Sequence, residues 1–195
     1  MNASNVAQQM IADRIGGNEL YTIGVLVSLV SAQREYASQM RESGGIQQFA
    51  RKIQSDPGKR DGLYWAASAN ELESPIGPLI AGAVAEGYQT GVGAPIPFHG
   101  YYYKVLTRQG LYAPGGAKNY IVNGKMTKGF AFLAYPAKYR ASGVVTFAVN
   151  QDGVIVQKDL GPNTSQLANA IAEFNPDRTW DQDLVRGEAQ LADGE

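Results

Sequence analysis

Between Gly129 and Leu160, apolar side chains alternate with period two in successive runs, which predicts the core of a sheet. Phe130, Phe132 and Ala134 interleave with Ala131, Leu133 and Tyr135, and Val145, Phe147 and Val149 interleave with Val144, Thr146 and Ala148. β-Branched and aromatic residues dominate these positions, as strands favour. Asn150-Gln151-Asp152-Gly153 separates Val149 from Val154, and its Asp-Gly step supplies the positive φ of a tight hairpin. Phe98 to Thr107 reads as a further strand, with Tyr101, Tyr103 and Val105 on one face and Tyr102, Lys104 and Leu106 on the other. The stretch 111–127 reads as an insertion. Pro114-Gly115-Gly116 makes a turn in it, 119–122 a short edge strand, and Asn123-Gly124 sends the chain back.

The period changes to a helical one from about Asn5 to Met40, where Ile11, Ile15, Ile23, Leu26, Val27 and Val30 form a broad apolar face. Gly16-Gly17-Asn18 predicts a break, giving a short entry helix and then a long helix from about Glu19 to Met40 with a polar end, Gln33-Arg34-Glu35-Tyr36. A helix so apolar must be covered by a sheet or by a partner. Ser43-Gly44-Gly45 ends it. Ile46, Phe49, Ala50 and Ile53 recur at helical spacing and predict a short amphipathic turn or two, stopped by Asp56-Pro57-Gly58.

Ser74-Pro75-Ile76-Gly77-Pro78 opens another helix, with serine as cap and proline in the first turn; Leu79, Ile80, Ala83 and Val84 face inward, and Glu86-Gly87 closes it. A loop, 91–97, follows. Near the C-terminus Asn163 and Gln166 stand at capping-box spacing before a helix whose buried stripe is Leu167, Ile171 and Phe174. Trp180 and Leu184 are expected to dock, and 186–195 to form a polar tail. The expected architecture is a single α+β domain over 1–195, with its ordered core at about 12–180. A long N-terminal helix packs on an antiparallel sheet of about four strands, with short helices around it.

Composition narrows the partners more than the fold. With 195 residues, 44% of them hydrophobic, one core can bury roughly 70% of the unfolded surface. Seventeen basic side chains nearly cancel eighteen acidic ones, so no global field attracts nucleic acid. The absence of cysteine removes disulfides and thiolate chemistry. The apolar stretch from Tyr21 to Ala32 is interrupted by Thr22, Gly24, Ser28 and Ser31 and falls short of the ~20 residues that cross a bilayer, so no transmembrane span is expected. Met1 to Ala12 lacks the basic start and apolar middle of a secretory signal, which leaves two readings, a cytosolic protein or one whose leader has been removed.

The motifs of common chemistry are missing. One histidine and no cysteine leave no zinc set, and neither a metal nor a cofactor is expected. Gly124-Lys125 is not a phosphate loop, because Asn119 stands where glycine is needed and Met126 where a hydroxyl is needed. Gly115-Gly116 and Gly91-x-Gly93 fail the dinucleotide pattern, and no G-x-S-x-G elbow exists. The one catalytic candidate is His99, as a general base oriented by Glu86, Asp61 or Asp152; the plainer reading has it seating a loop. The candidate binding residues are Lys59, Arg60, Asp61, Tyr64 and Trp65, a basic-then-aromatic loop suited to an anion or a sugar ring, together with His99, Tyr101 and Tyr103. Set against this, the charges can pair locally while Trp65 plugs the core. Tyr102 and Tyr135 join the aromatic group that could line a groove for a glycan or peptide, or pack across strands.

Several segments carry a family resemblance. Gln33-Arg34-Glu35-Tyr36, the run from Pro57 to Trp65, Ser74 to Leu79, His99 to Tyr103, Val122 to Met126, Gly143 to Phe147 and Lys158 to Pro162 resemble, in order, the bacterial domain-of-unknown-function family 2950. Members of that family usually begin with a secretory signal and a further N-terminal region. The resemblance implies an exported bacterial protein, periplasmic or secreted, and carries over no catalytic residues; the chain's own start leaves a cytoplasmic location open. A partial second resemblance, in the order of a long helix, a Gly-Tyr-x-Tyr strand and a final hairpin, is similar to the globular part of type IV pilin-like and pseudopilin proteins. The resulting expectation is a non-enzymatic envelope module that binds another protein or a surface polymer, with a homo-oligomer through the 20–36 helix as a further option. The alternative is a hydrolase or lyase using His99.

Overall fold

The computed structural model of the protein describes residues 3–40, 46–68, 70–77, 79 and 96–182. It is an α+β fold built on a four-stranded antiparallel sheet. In chain order the elements are α1 (Ala3–Gln39), β1 (Lys52–Gln54), β2 (Gly62–Tyr64), β3 (Tyr101–Leu106), β4 (Arg108–Gln109), β5 (Lys118–Asn119), β6 (Ile121–Val122), β7 (Lys125–Met126), β8 (Ala131–Pro136), β9 (Val145–Asn150), β10 (Ile155–Asp159) and α2 (Thr164–Ala170). The sheet runs β10-β9-β8-β3, all antiparallel. Tyr102 faces Tyr135 and Val105 faces Phe132 in the β3–β8 register, while Leu133 faces Ala148 across β8 and β9.

Every residue of β8 is buried, which follows from its central place with α1 on one face and α2 on the other. Tyr101 and Tyr103 point towards α1. The Tyr101 hydroxyl donates to the Val145 carbonyl at 2.8 Å, and that of Tyr103 reaches the Thr22 hydroxyl at 3.2 Å. Tyr102, Lys104 and Tyr135 face α2. Lys104 Nζ donates to the carbonyls of Ala168 and Asn169 at 2.6 and 3.1 Å, where the helix leaves its last carbonyls unmatched. Burial of the ammonium beside that helix end holds its pKa below the usual lysine range. The expected hairpin joins β9 to β10, with Gly153 at positive φ and its N–H donating to the Asn150 carbonyl.

Four expectations need correction. The helix does not break at Gly16-Gly17-Asn18: α1 runs unbroken for 37 residues. Two helical glycines cost about 1 kcal/mol each. On either side of them, however, α1 is tied to the loop before β9. Arg14 Nη2 donates to the Ala141 carbonyl and Asn18 Nδ2 to that of Ser142, while Glu19 accepts the N–H groups of Val144 and Val145. The turn expected at Ile46 to Ile53 is extended, because Phe49 pairs with Met126 and the backbone of Ala50 is held by the Gln33 amide. In α2, Asn163 makes no side-chain cap bond; instead Thr164 Oγ1 donates to the Gly161 carbonyl. Leu167 is 45% exposed, and the inward positions are Thr164 and Ala168, with Phe174 buried beyond the helix.

The helix expected from Ser74 onward and the loop 91–97 lie largely outside the described residues, as do the stop at Ser43-Gly44-Gly45, Glu86, Leu184 and the tail 186–195. By length and composition alone, Ser4–Gln39 is apolar enough to cross a membrane, a test that core helices also pass. Here its inner face carries Thr22, Val25, Leu26, Leu29, Gln33 and Tyr36 against the sheet and β2, all buried.

Candidate functional site

The candidate site begins with an unusual pairing. β1 and β2 run parallel, with Lys52 opposite Gly62 and Gln54 opposite Tyr64. Parallel neighbours usually need about a dozen connecting residues or more, and the loop 55–61 is shorter than that. A knot of charge closes it. Lys52 Nζ bonds Asp56 at 2.6 Å and Asp61 at 2.9 Å, Lys59 adds a second ion pair to Asp56 at 3.2 Å, and the Asp56 N–H donates to Asp61 Oδ1 at 2.9 Å. The Gly62 N–H donates to Ser55 Oγ, which closes the return onto β2.

The knot is pinned from below. Tyr36 on α1 donates its hydroxyl to the Arg60 carbonyl at 2.7 Å, and burial, then the nearby Asp61 charge, push its pKa up. The Trp65 indole donates to the Leu72 carbonyl at 2.8 Å, packs edge-on against Tyr36 and carries the Arg60 guanidinium over its ring at 5.6 Å. Above this base lies a concave groove of about 520 Å³, lined by residues 54–60, Tyr64, Trp65, Ala66 and Glu71. Its walls carry Asp56, Lys59, Arg60 and Glu71 as charged groups and Tyr64 as a half-buried ring. Glu71 accepts the Ser68 N–H, which holds its carboxyl below the ordinary range.

Hydrogen bonds from Lys52 and Lys59 lower the pKa of Asp56. At Asp61 burial pushes upward, but the bonds from Lys52 and the Asp56 N–H outweigh it and leave the pKa lowered. Lys52 is raised by the same two carboxylates. The acids therefore contribute stability that is complete above their unfolded values of about 4 and is lost as pH falls through their lower folded values. Lysine's share is complete below about 10.4 and is lost as pH rises through its raised value. The urea midpoint is expected to fall on acidification below about pH 4, and Asp61→Asn to flatten that fall. An unchanged acid slope in the variant would count against the knot.

The residues singled out from the sequence therefore separate. Lys59, Arg60, Tyr64 and Trp65 converge on one groove, with Asp61 supporting it from the knot. Tyr101 is fully buried under α1, and Tyr103 is half-buried with its hydroxyl on Thr22. His99 lies elsewhere. His99 and Gly100 are the two central residues of a turn, at φ 45° and 76°, whose flanking Phe98 and Tyr101 exchange backbone bonds, and the imidazole stacks on Tyr21 at 3.6 Å. Of its expected acid partners, Asp61 is held by Lys52, Asp152 accepts from Asn150 in the hairpin, and Glu86 lies outside the described residues. Among the described residues no group of acids and histidine is placed to hold a metal ion.

Sequence reasoning missed Lys52, Asp56 and Glu71. The helical spacing assigned to Ile46–Ile53 hid Lys52, and Asp56 read only as a stop. The legible signal for Lys52 and Asp56 is the close succession of opposite charges Lys52, Asp56, Lys59, Arg60 and Asp61 over β1 and the loop after it. No curated protein and no solved structure matches the chain significantly. A family model described as "Protein of unknown function (DUF2950)" matches residues 1–182, and the chain belongs to that family.

Proposed function

We propose that the protein is a non-enzymatic binding module of the bacterial envelope, exported to the periplasm or beyond, and that it holds a polar polymer in the groove over the β1–β2 loop. The observation that carries this reading is the groove itself, a mixed polar and aromatic wall on a base locked by ion pairs. A site held rigid before binding loses little on ordering a ligand. Carboxylates, a guanidinium, an ammonium and a tyrosine ring together suit a ligand that offers hydroxyl groups along its edge and apolar ring faces, which describes a glycan strand. A peptide segment is the outcome against which this is tested. A long helix laid on an antiparallel sheet is a layer order that many unrelated proteins share, and nothing functional is taken from the pilin-like resemblance.

The protein has two tryptophans, so Trp180→Phe leaves Trp65 as the reporter at the groove. Titration with a soluble N-acetylglucosamine tetramer should change its fluorescence saturably. Tyr64→Ala and Arg60→Ala should each weaken binding about tenfold, the size of one lost ring or charge-assisted contact. Saturation by an extended peptide and not by the oligosaccharide would redirect the proposal to a protein partner. Cleavage of the oligosaccharide that disappears in His99→Ala would establish the hydrolase instead.

A further inference from the structure

A second concave surface, of about 440 Å³, lies between α1, the His99-Gly100 turn and the loop before β9. Its lining is Arg14, Asn18, His99, Gly100, Lys138, Ala141 and Ser142, which brings together two basic side chains from segments far apart in the chain and, among the described lining residues, no carboxylate. We propose that this groove is an anion site for a phosphate group.

The cradle is built before any ligand arrives. Arg14 and Asn18 are one helical turn apart and donate to the successive carbonyls of Ala141 and Ser142 at 2.9 and 2.8 Å, so the guanidinium is aimed along the groove. One of its five N–H donors is used in this way, leaving others for a second acceptor. The loop that carries Lys138 is closed on itself: the Lys138 N–H donates to Ser142 Oγ at 2.9 Å, and the Ser142 N–H donates to the Lys138 carbonyl at 2.8 Å. Gly100 makes the floor, where a Cβ would come within 2.8 Å of both Asn18 Nδ2 and Ser142 Cβ.

The nearest acids on α1 are held by other partners. Glu19 accepts the N–H groups of Val144 and Val145, and Asp13 accepts from Gln9 one turn back. The Ser142 hydroxyl is spent on the Lys138 carbonyl at 3.2 Å, so the donors for the anion are the guanidinium and the ammonium, and two cations favour the more highly charged phosphate over a singly charged carboxylate.

The test uses the full chain, labelled with nitrogen-15 and titrated with inorganic phosphate, glycerol 3-phosphate and acetate. Both phosphates should shift the amides of Gly100, Ala141 and Ser142 saturably, and acetate should do so far more weakly. Lys138→Gln should weaken the phosphates about tenfold, the loss of one charge-assisted contact. The double variant Arg14→Gln/Lys138→Gln should abolish binding, and Lys128→Gln, on an exposed loop residue, should leave it unchanged. Circular dichroism confirms that each variant is folded, and Lys138→Glu provides a reading that does not disturb the Arg14 tie. Saturation by inorganic phosphate alone would identify a free anion as the ligand, and saturation by both would admit a phosphate ester on a larger molecule. Linear, unsaturated shifts, equal affinity for acetate, or binding that survives in the double variant would overturn the proposal.

Discussion

Gln33→Leu is expected to lower the unfolding free energy by about 2–6 kcal/mol, because it orphans two buried backbone groups at once, each worth about 1–3 kcal/mol. Gln33 lies in the last two turns of α1 and is 0% exposed. Its amide nitrogen donates to the Ala50 carbonyl at 2.8 Å, and its amide oxygen accepts the Ala50 N–H at 2.8 Å. A side chain thus completes the pairing that a neighbouring strand would otherwise give to the segment entering β1. Leucine fills much of the same volume, so the loss isolates the hydrogen bonds from packing. Urea unfolding followed by circular dichroism gives the number. Ser31→Ala, on the exposed side of the same helix, should stay within about 0.5 kcal/mol. Equal effects from the two variants would mean that Ala50 finds other partners.

Gly143→Ala is the second large effect, expected at about 2–3 kcal/mol as overpacking in a site with no room to give. A Cβ at residue 143 would fall on the Tyr101 hydroxyl and within 2.6 Å of two of its ring carbons. That ring cannot retreat, since it is fully buried and its hydroxyl is anchored on Val145. Burial, then the charge of Glu19, push the Tyr101 pKa far above the ordinary phenol range, so the group stays a donor throughout. The contrast lies in α1. Gly16 and Gly17 have nothing within 4 Å of a Cβ and are helical, so alanine at either should stabilise by about 0.5–1 kcal/mol. Thermal unfolding of the three variants should therefore show opposite signs for glycines that look alike in the sequence.

These two sites also show what the sequence could and could not convey. The strands at 131–136, 145–150 and 155–159 were legible because alternation is a local signal and the Asp152-Gly153 step marks the turn between the last two. The break expected at Gly16-Gly17 does not occur, because the contacts that hold the helix there come from residues 141–145, more than a hundred positions away. Ile46 to Ile53 carried helical spacing, yet Gln33 and Met126 claim its backbone bonds. Gln33, Tyr36, Gly143 and Tyr101, all within segments that carry the family resemblance, have buried side chains or close approaches that lay α1 on the sheet and steady the β1–β2 loop.

The candidate site was legible by residue type and not by place. The aromatic and basic run from Lys59 to Trp65 was found, while its closure through Lys52 and Asp56 depends on a parallel pairing that no local pattern announces. The same holds for the second groove, whose cations come from α1 and from the loop between β8 and β9. His99 stood out because it is the one histidine, and its backbone role in the turn before β3 became visible only with the fold.

The most direct measurement is a backbone amide shift map of the nitrogen-15-labelled protein titrated with the N-acetylglucosamine tetramer, with the oligosaccharide recovered and sized afterwards. The predicted result is a set of saturable shifts confined to residues 54–66 and Glu71, saturating at about tenfold higher oligosaccharide in Tyr64→Ala, with the oligosaccharide intact. Shifts centred on His99, products shorter than the starting oligosaccharide, or no saturable shift anywhere would contradict it.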